Sequence, residues 1–209
     1  MNMNRASRMG AGVAAYLCCS LGVSTSAGGD QPSHASGAQL EKLGAYVCTE
    51  ETHGNARSIL FSPLWRGRDE DLAALEHVPE LTSLVIYDAG IGDQGLVNLT
   101  HVDSLTSLIL CEKGVTDHGL RHLSSLRHLR ILSLRETGLT DNGIRHLVDL
   151  PAIEILGLEY TNVTDSGLMQ LGQLKKLRIL RIEGTGISTH GIETFSHKMP
   201  KRLTKNRLK

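Results

Sequence analysis

The sequence predicts an α/β solenoid: short coils stacked on one another, with a parallel sheet on the concave face and short helices on the convex face. Three observations predict it. Aliphatic residues recur every 24 positions through the second half of the chain. Aromatic residues make up only 3% of the composition, so Leu, Ile and Val must fill the core. The 22 Lys and Arg balance 22 Asp and Glu in the 209-residue chain, and no overall field draws it toward nucleic acid or an anionic membrane.

At the N-terminal side, Arg5 and Arg8 precede an uncharged stretch from Met9 to Val23, followed by the small residues Ser24, Thr25, Ser26 and Ala27. That is the order of a secretory signal peptide, so residues 1–27 read as a leader cleaved after Ala27, with an uncleaved anchor or a disordered leader as the alternatives. Gly10, Gly12, Ser20 and Gly22 dilute the stretch, which falls short of the roughly 20 apolar residues a membrane helix needs. No stable membrane insertion is expected after leader removal, and the protein is expected to be exported, whether periplasmic, in the cell envelope or secreted. Residues 28–37, rich in Gly, Ser and Pro, read as a linker. Residues 38–56 read as an N-terminal cap over the open end of the core, with a helical turn at Leu40 to Leu43 ended by Gly44 and a strand over Ala45 to Thr49. Cys48 and Cys111 are too few for a disulfide scaffold and are expected to remain thiols, a pair being open only if both side chains face each other.

Residues 57–200 carry the repeat. Leu81, Leu105, Leu129, Ile153 and Leu177 each open a unit of 24 residues. Position four reads Leu84, Leu108, Leu132, Leu156 and Leu180, and position six reads Ile86, Leu110, Leu134, Leu158 and Ile182. Positions thirteen, fifteen and sixteen give Asp93, Gly95 and Leu96, then Asp117, Gly119 and Leu120, and so on to Thr189, Gly191 and Ile192. Counting back from Leu81 gives a degenerate first unit from Arg57, with Leu60, Asp69, Leu72, Leu75 and Val78 in register and Pro63, Trp65 and Gly67 in place of the usual turn. Aliphatics at positions four and six, with position five turned away, are the period-two signature of a strand with one buried face. Thr116 with Asp117, or Thr140 with Asp141, supply N-caps, and Leu120, Leu123 and Leu126 follow at the spacing of a short helix or 3₁₀ turn. The glycine at position fifteen either permits tight packing or takes a left-handed conformation. One unit cannot cover its own leucines; stacked units can, and because helices are wider than strands the stack bends with its strands inside.

The pattern Leu-x-x-Leu-x-Leu, a Thr such as Thr137 or Thr161, an aliphatic residue, then Thr-Asp-x-Gly-Leu resembles leucine-rich repeats. The type it is most similar to is the cysteine-containing one of F-box-associated and ribonuclease-inhibitor-like proteins and of many exported bacterial proteins. The resemblance covers residues 81–200 and implies a leucine-rich-repeat solenoid that binds protein, without naming a partner. At position nine Ala89 and Lys113 stand where the pattern has a polar residue, so no continuous side-chain ladder is expected in the first units.

With positions four and six inward, positions three, five, seven and eight face out from the concave sheet. The candidate partner-binding residues there are Tyr87, Asp88, Glu112, Arg135, Glu136, Glu159, Tyr160, Arg181 and Glu183. Tyr87, Arg135 and Tyr160 are the anchors, because Tyr and Arg dominate binding energies. An acidic stripe of Asp88, Glu112, Glu136 and Glu159 favours a protein partner with a basic patch. The alternative is that exposed strand positions are polar for solubility alone. The basic tail 201–209, continuing from Lys198, reads either as a solvated terminus or as a contact for an anionic partner, and it lacks the interleaved aromatics that nucleic-acid binding uses.

Neither a metal nor a cofactor is expected. His118, His122 and His146 fall on convex turns where three imidazoles could approach one another, but Arg121 and Arg145 beside them disfavour a cation. No enzyme activity is expected either: Ser107, Ser133 and the histidines belong to opposite faces, and no phosphate-cradling loop or dinucleotide fingerprint occurs. The function expected is an exported binding module that recognises a protein or surface polymer through its concave sheet. The alternatives are an intracellular adaptor or substrate receptor of the F-box-associated type, although residues 1–56 resemble no F-box domain, and a structural envelope spacer. Oligomeric state stays open.

Overall fold

The computed structural model describes residues 35–50 and 56–198; the leader, the linker up to residue 34 and the tail 201–209 lie outside the described residues. Helix α1 (Ala35–Lys42) is followed by Gly44 at φ +100°, which turns the chain so that the Ala45 N–H donates to the Leu40 carbonyl at 3.0 Å. A Cβ at Gly44 would stand 2.6 Å from the Leu64 carbonyl oxygen, so both backbone angle and space demand glycine here.

Among the described residues, seven strands form one sheet in chain order: β1 (Tyr46–Glu50), β2 (Ala56–Phe61), β3 (Leu81–Tyr87), β4 (Ser107–Cys111), β5 (Ile131–Ser133), β6 (Ile155–Gly157) and β7 (Ile179–Arg181). β1 is antiparallel to β2, and every later pair is parallel. Leu84, Leu108, Leu132, Leu156 and Leu180 stand opposite one another across the sheet, so the 24-residue interval of the sequence is the register of β3 to β7. These leucines, with Leu110, Leu134 and Leu158, are fully buried in one continuous aliphatic core. On the opposite face lie α2 (Asp93–Val97), α3 (Asp117–Leu120), α4 (Asp141–Leu147), α5 (Asp165–Gln170) and α6 (Thr189–Lys198), several continued by short 3₁₀ turns such as Arg121–Ser125. The architecture is a leucine-rich-repeat solenoid, strands concave and helices convex. No described helix is long and apolar enough to cross a membrane.

The first coil departs from the counted register. A bulge between Arg57 and Ser58 shifts the pairing by one, so Ile59 stands opposite Leu84 and Phe61 opposite Ile86. Because side chains alternate along a strand, that single step moves Ile59 and Phe61 into the core and leaves Leu60, the residue expected there, half-buried on the other side. The extra residue is absorbed between Ser62 and Arg68, where Trp65 packs edge-on against Phe61 with ring centroids 4.5 Å apart. By Asp69 the spacing has returned, and Leu72 and Leu75 are fully buried.

Threonine and aspartate divide the work expected of both as caps. Thr116, Thr140 and Thr164 cap α3, α4 and α5 through their hydroxyls. The aspartates reach into the following coil instead: Asp93 accepts the N–H and hydroxyl of Thr116 at 2.7 and 2.6 Å, and Asp117 holds Thr140, Asp141 holds Thr164 and Asp165 holds Ser188 in the same way. At position nine, Thr137, Thr161 and Thr185 bond carbonyls of their own coils, three residues back. Side-chain continuity between coils therefore runs along the aspartates. Cys48 on β1 and Cys111 on β4 are three strands apart, roughly 14 Å at about 4.8 Å per step, too far for a disulfide.

Candidate functional site

The outward positions of β3 to β7 and the residues just past them make up the concave face. At position eight the backbone turns left-handed, with φ of +46° at Asp88, +56° at Glu136, +57° at Tyr160 and +70° at Gly184. Three of these four are not glycine, and the conformation is held by bonds between coils: the Glu136 N–H donates to the Glu159 carbonyl at 2.9 Å and the Tyr160 N–H to the Glu183 carbonyl at 2.8 Å. At Tyr160 the turn throws the side chain off the end of its strand toward the next coil, where it meets Glu183 and Gly184.

A stack across three coils results. The Arg135 guanidinium lies over the Tyr160 ring, 4.8 Å from its centroid. The other flank of that ring rests on Gly184, where a Cβ would come within 2.4 Å of a ring carbon. Arg135 also pairs with Glu136 at 3.0 Å, and the Tyr160 hydroxyl donates to Glu183 at 3.1 Å, the bond that holds the phenol pKa above the usual tyrosine range. The ring nonetheless keeps 46% of its surface open to solvent. Arg135, Glu136, Tyr160 and Glu183 thus form one connected patch of exposed aromatic and charged groups.

Glu112 does not belong to that patch. Only 5% exposed, its carboxylate folds in to accept the Ala89 N–H, and burial, opposed by backbone donors of residues 89–91, pushes its pKa up. The acidic stripe is therefore interrupted at the second regular coil. A shallow hollow of about 400 Å³ beside it is lined by Tyr87, Asp88, Cys111 and Glu136 among others. Burial, followed by the Glu136 charge, raises the Cys111 thiol to about 11. Arg181 and Asp88 are exposed, and Tyr87 is half-buried.

Glu159 is also turned in, 8% exposed, with Oε2 buried and without a hydrogen-bond partner. Gly157 is what accommodates it, since a Cβ there would meet Glu159 Oε2 at 2.6 Å and Ser133 Oγ at 3.1 Å. Sequence reading named Glu159, weighed Ser133 only for catalysis and passed over Gly157; the position-five column, Val85, Ile109, Ser133, Gly157, Arg181, already shows the loss of side-chain volume at Ser133 and Gly157. Position three supplies a second feature, Ile131, Ile155 and Ile179, half-buried and side by side in register.

On the convex face the Arg121 Nε donates to His122 Nε2 at 3.1 Å and the Arg145 Nε to His146 Nε2 at 3.5 Å. Burial first, then these arginines, lowers both imidazole pKa values. Among the described residues, no group of three or more His, Cys, Asp or Glu is placed to hold a metal ion. Ser107 and Ser133 lie on the sheet and the histidines of α3 and α4 on the opposite side, so these groups do not meet.

A family model described as leucine-rich repeat matches residues 125–148, one repeat length. A search of the curated proteins finds no match to the chain. Among solved structures, an internalin C2 from Listeria monocytogenes is 22% identical with a TM-score of 0.51, the alignment covering 64% of this chain and 58% of that one. A second internalin of the same organism is 18% identical with a TM-score of 0.43, covering 60% of this chain and 41% of its own. The chain thus spans about half the length of either, and at these identities the likeness concerns the fold alone. The interval counted in the sequence, the sheet register it becomes and the repeat matched at residues 125–148 together give the chain a leucine-rich-repeat fold.

Proposed function

We propose that the protein is an exported binding module that grips a protein partner through its concave sheet. The observation that carries this reading is the Arg135–Tyr160 stack: a cation–π pair held in place on both sides yet open to solvent, with Glu136 and Glu183 beside it. Preordered aromatic and arginine side chains lose little conformational freedom on binding and are the groups that dominate interface energies. With Asp88, Glu136 and Glu183 exposed or half-exposed around them, the partner surface that fits is basic. Export is supported by the order of charged, apolar and small residues across Arg5 to Ala27.

Affinity capture from the native extract, run with the unaltered protein beside a Glu136→Lys, Tyr160→Ala double variant, tests the interface. The double variant is expected to lose the partner while melting within a few degrees of the parent; unchanged capture would place the contact elsewhere. Mass measurement of the protein from its natural source tests export, with a mature terminus at Gly28 expected and an intact Met1 in the soluble fraction contradicting it.

A further inference from the structure

We propose that the concave face carries a specific seat for one lysine side chain of the protein partner, formed by Ile155, Gly157 and Glu159. The inference rests on the concave-face reading above and says which residue of a partner that face selects. Ile155 and Gly157 alternate onto the same, outward side of β6, and Glu159, in the turn just past the strand, brings its Oε2 over Gly157, 2.6 Å from where a Cβ would stand. They present a half-buried aliphatic surface, a stretch of bare backbone and the carboxylate that lies over it.

The carboxylate is the reason the seat calls for a cation. Glu159 Oε2 is buried and accepts no hydrogen bond from the protein, a costly state for an ionised oxygen that an incoming donor relieves. Two arginines stand near: Arg135, which feels the Glu159 charge but is bonded to Glu136 at 3.0 Å and lies over the Tyr160 ring at 4.8 Å, and the exposed Arg181, in register with Gly157; neither donates a hydrogen bond to Oε2. Gly157 and the small Ser133 beside it in register leave room over the strand, and the Glu159 carboxylate leans into that room, within reach of a group lying on Ile155. The step from Ile155 to Gly157 is about 7 Å, comparable to the reach of a four-carbon stem ending in an ammonium. Such a stem would lie against Ile155 with Ile131 and Ile179 on either side, and its head would meet Glu159. An ammonium supplies the donor that Oε2 lacks; an uncharged side chain would leave Oε2 unsatisfied.

The test is a two-dimensional NMR titration of the full chain with N-acetyl-lysine methylamide and, separately, with its uncharged analogue N-acetyl-norleucine methylamide. The lysine probe is expected to shift the Ile155, Gly157 and Glu159 amides saturably, and the norleucine probe to leave them in place. Glu159→Gln, which removes the charge at nearly constant volume, and Gly157→Ala, which pushes the carboxylate off the strand, should each weaken lysine binding at least about tenfold. Either variant that keeps the parent circular dichroism and melting curve suffices, so a folding failure in one leaves the other decisive. Equal shifts with both probes, undiminished binding by Glu159→Gln, or shifts centred on Asp88 or Glu183 would overturn the seat. So would self-association that disappears when residues 199–209 are removed, because the occupant would then be this chain's own tail. If Glu159→Gln still captures the natural partner while the Glu136→Lys, Tyr160→Ala variant does not, the seat falls and the concave-face reading stands; if neither variant loses capture, the reading of the face itself falls.

Discussion

Asp117 holds Thr140 of the next coil by two hydrogen bonds at once, its Oδ1 accepting the backbone N–H at 2.8 Å and its Oδ2 the hydroxyl at 2.6 Å. The hydroxyl, in turn, accepts the Asn142 N–H at 3.2 Å, so one carboxylate orders the start of the following helix. Gly143 makes room for this arrangement: a Cβ there would lie 2.3 Å from Asp117 Oδ1 and 2.4 Å from a Leu139 methyl. Asp93 with Thr116 and Gly119, and Asp141 with Thr164 and Gly167, repeat the same geometry.

Breaking that link should weaken the whole stack. Asp117→Ala removes two charge-assisted bonds and is expected to cost about 1.5–3 kcal/mol in denaturant unfolding with an unchanged slope. Gly143→Ala should cost a comparable 1–3 kcal/mol by overpacking. Because the alanine methyl collides with the carboxylate that Asp117→Ala deletes, the double variant should lose less than the sum of the two. Strict additivity would show that the glycine is needed for another reason.

Glu112 predicts a pH effect of definite sign. Burial raises its folded-state pKa above the unfolded value of about 4.3, so the folded protein holds the proton more tightly. Its stabilising contribution is fully present below that unfolded value and is lost as pH rises through the folded pKa. Glu112→Gln keeps an acceptor oxygen for the Ala89 N–H and abolishes the titration. Relative to the parent, the variant should therefore gain stability as the solution is taken from pH 4 to pH 7, read from melting curves across that range; a difference that does not vary with pH would contradict the assignment.

Cys111 should be a sluggish thiol. Its pKa is raised from 9.0 to about 11, which leaves roughly a hundredfold less thiolate at pH 8. Alkylation by iodoacetamide, followed by peptide mass mapping, should accordingly run about a hundredfold slower at Cys111 than in the denatured chain. Glu136→Gln, by removing the second-largest cause of the shift, should speed it; no change would point to burial alone.

The phenol of Tyr160 reports on its partner. Its proton is donated to Glu183, and the ring titrates above the ordinary tyrosine range because of that bond and the carboxylate charge. In a spectrophotometric titration, the component that Tyr160→Phe removes should move down in pH when Glu183 is changed to Gln. If it stays in place, the bond between these two side chains does not persist in solution.

Much of the fold was legible because its rule is one-dimensional. Leu84, Leu108, Leu132, Leu156 and Leu180 recur at one interval, and an interval of aliphatics can be satisfied only by stacking the segments that carry it. Where the interval was broken, the reading slipped: Leu60 was expected inside, and the bulge at Arg57 put Ile59 and Phe61 there, since a bulge leaves no mark in a count of residues. The candidate site was legible by column and not by direction. Tyr160 and Arg135 could be named from positions seven and eight, yet their contact depends on a left-handed turn that non-glycine residues seldom adopt and sequence does not announce. Glu112 and Glu159 read as surface charge and proved buried, because where a flexible carboxylate lies is decided by contacts no column shows: the Ala89 N–H of the preceding coil for Glu112, and the room left by Gly157 and the neighbouring coil's Ser133 for Glu159.

What the sequence by itself determined is the spacing: which aliphatic residues share a core, which coils are neighbours, and which columns lie outside. Only the tertiary structure decided which aspartate oxygen meets which threonine, which carboxylates face solvent, and that Arg135 covers the Tyr160 ring. The physical reason is reach. Burial of an aliphatic side chain is set by its period along the chain, whereas a hydrogen bond or a ring contact between residues some 24 positions apart exists only once two coils are stacked and each terminal atom has been steered by backbone turns and neighbouring volume.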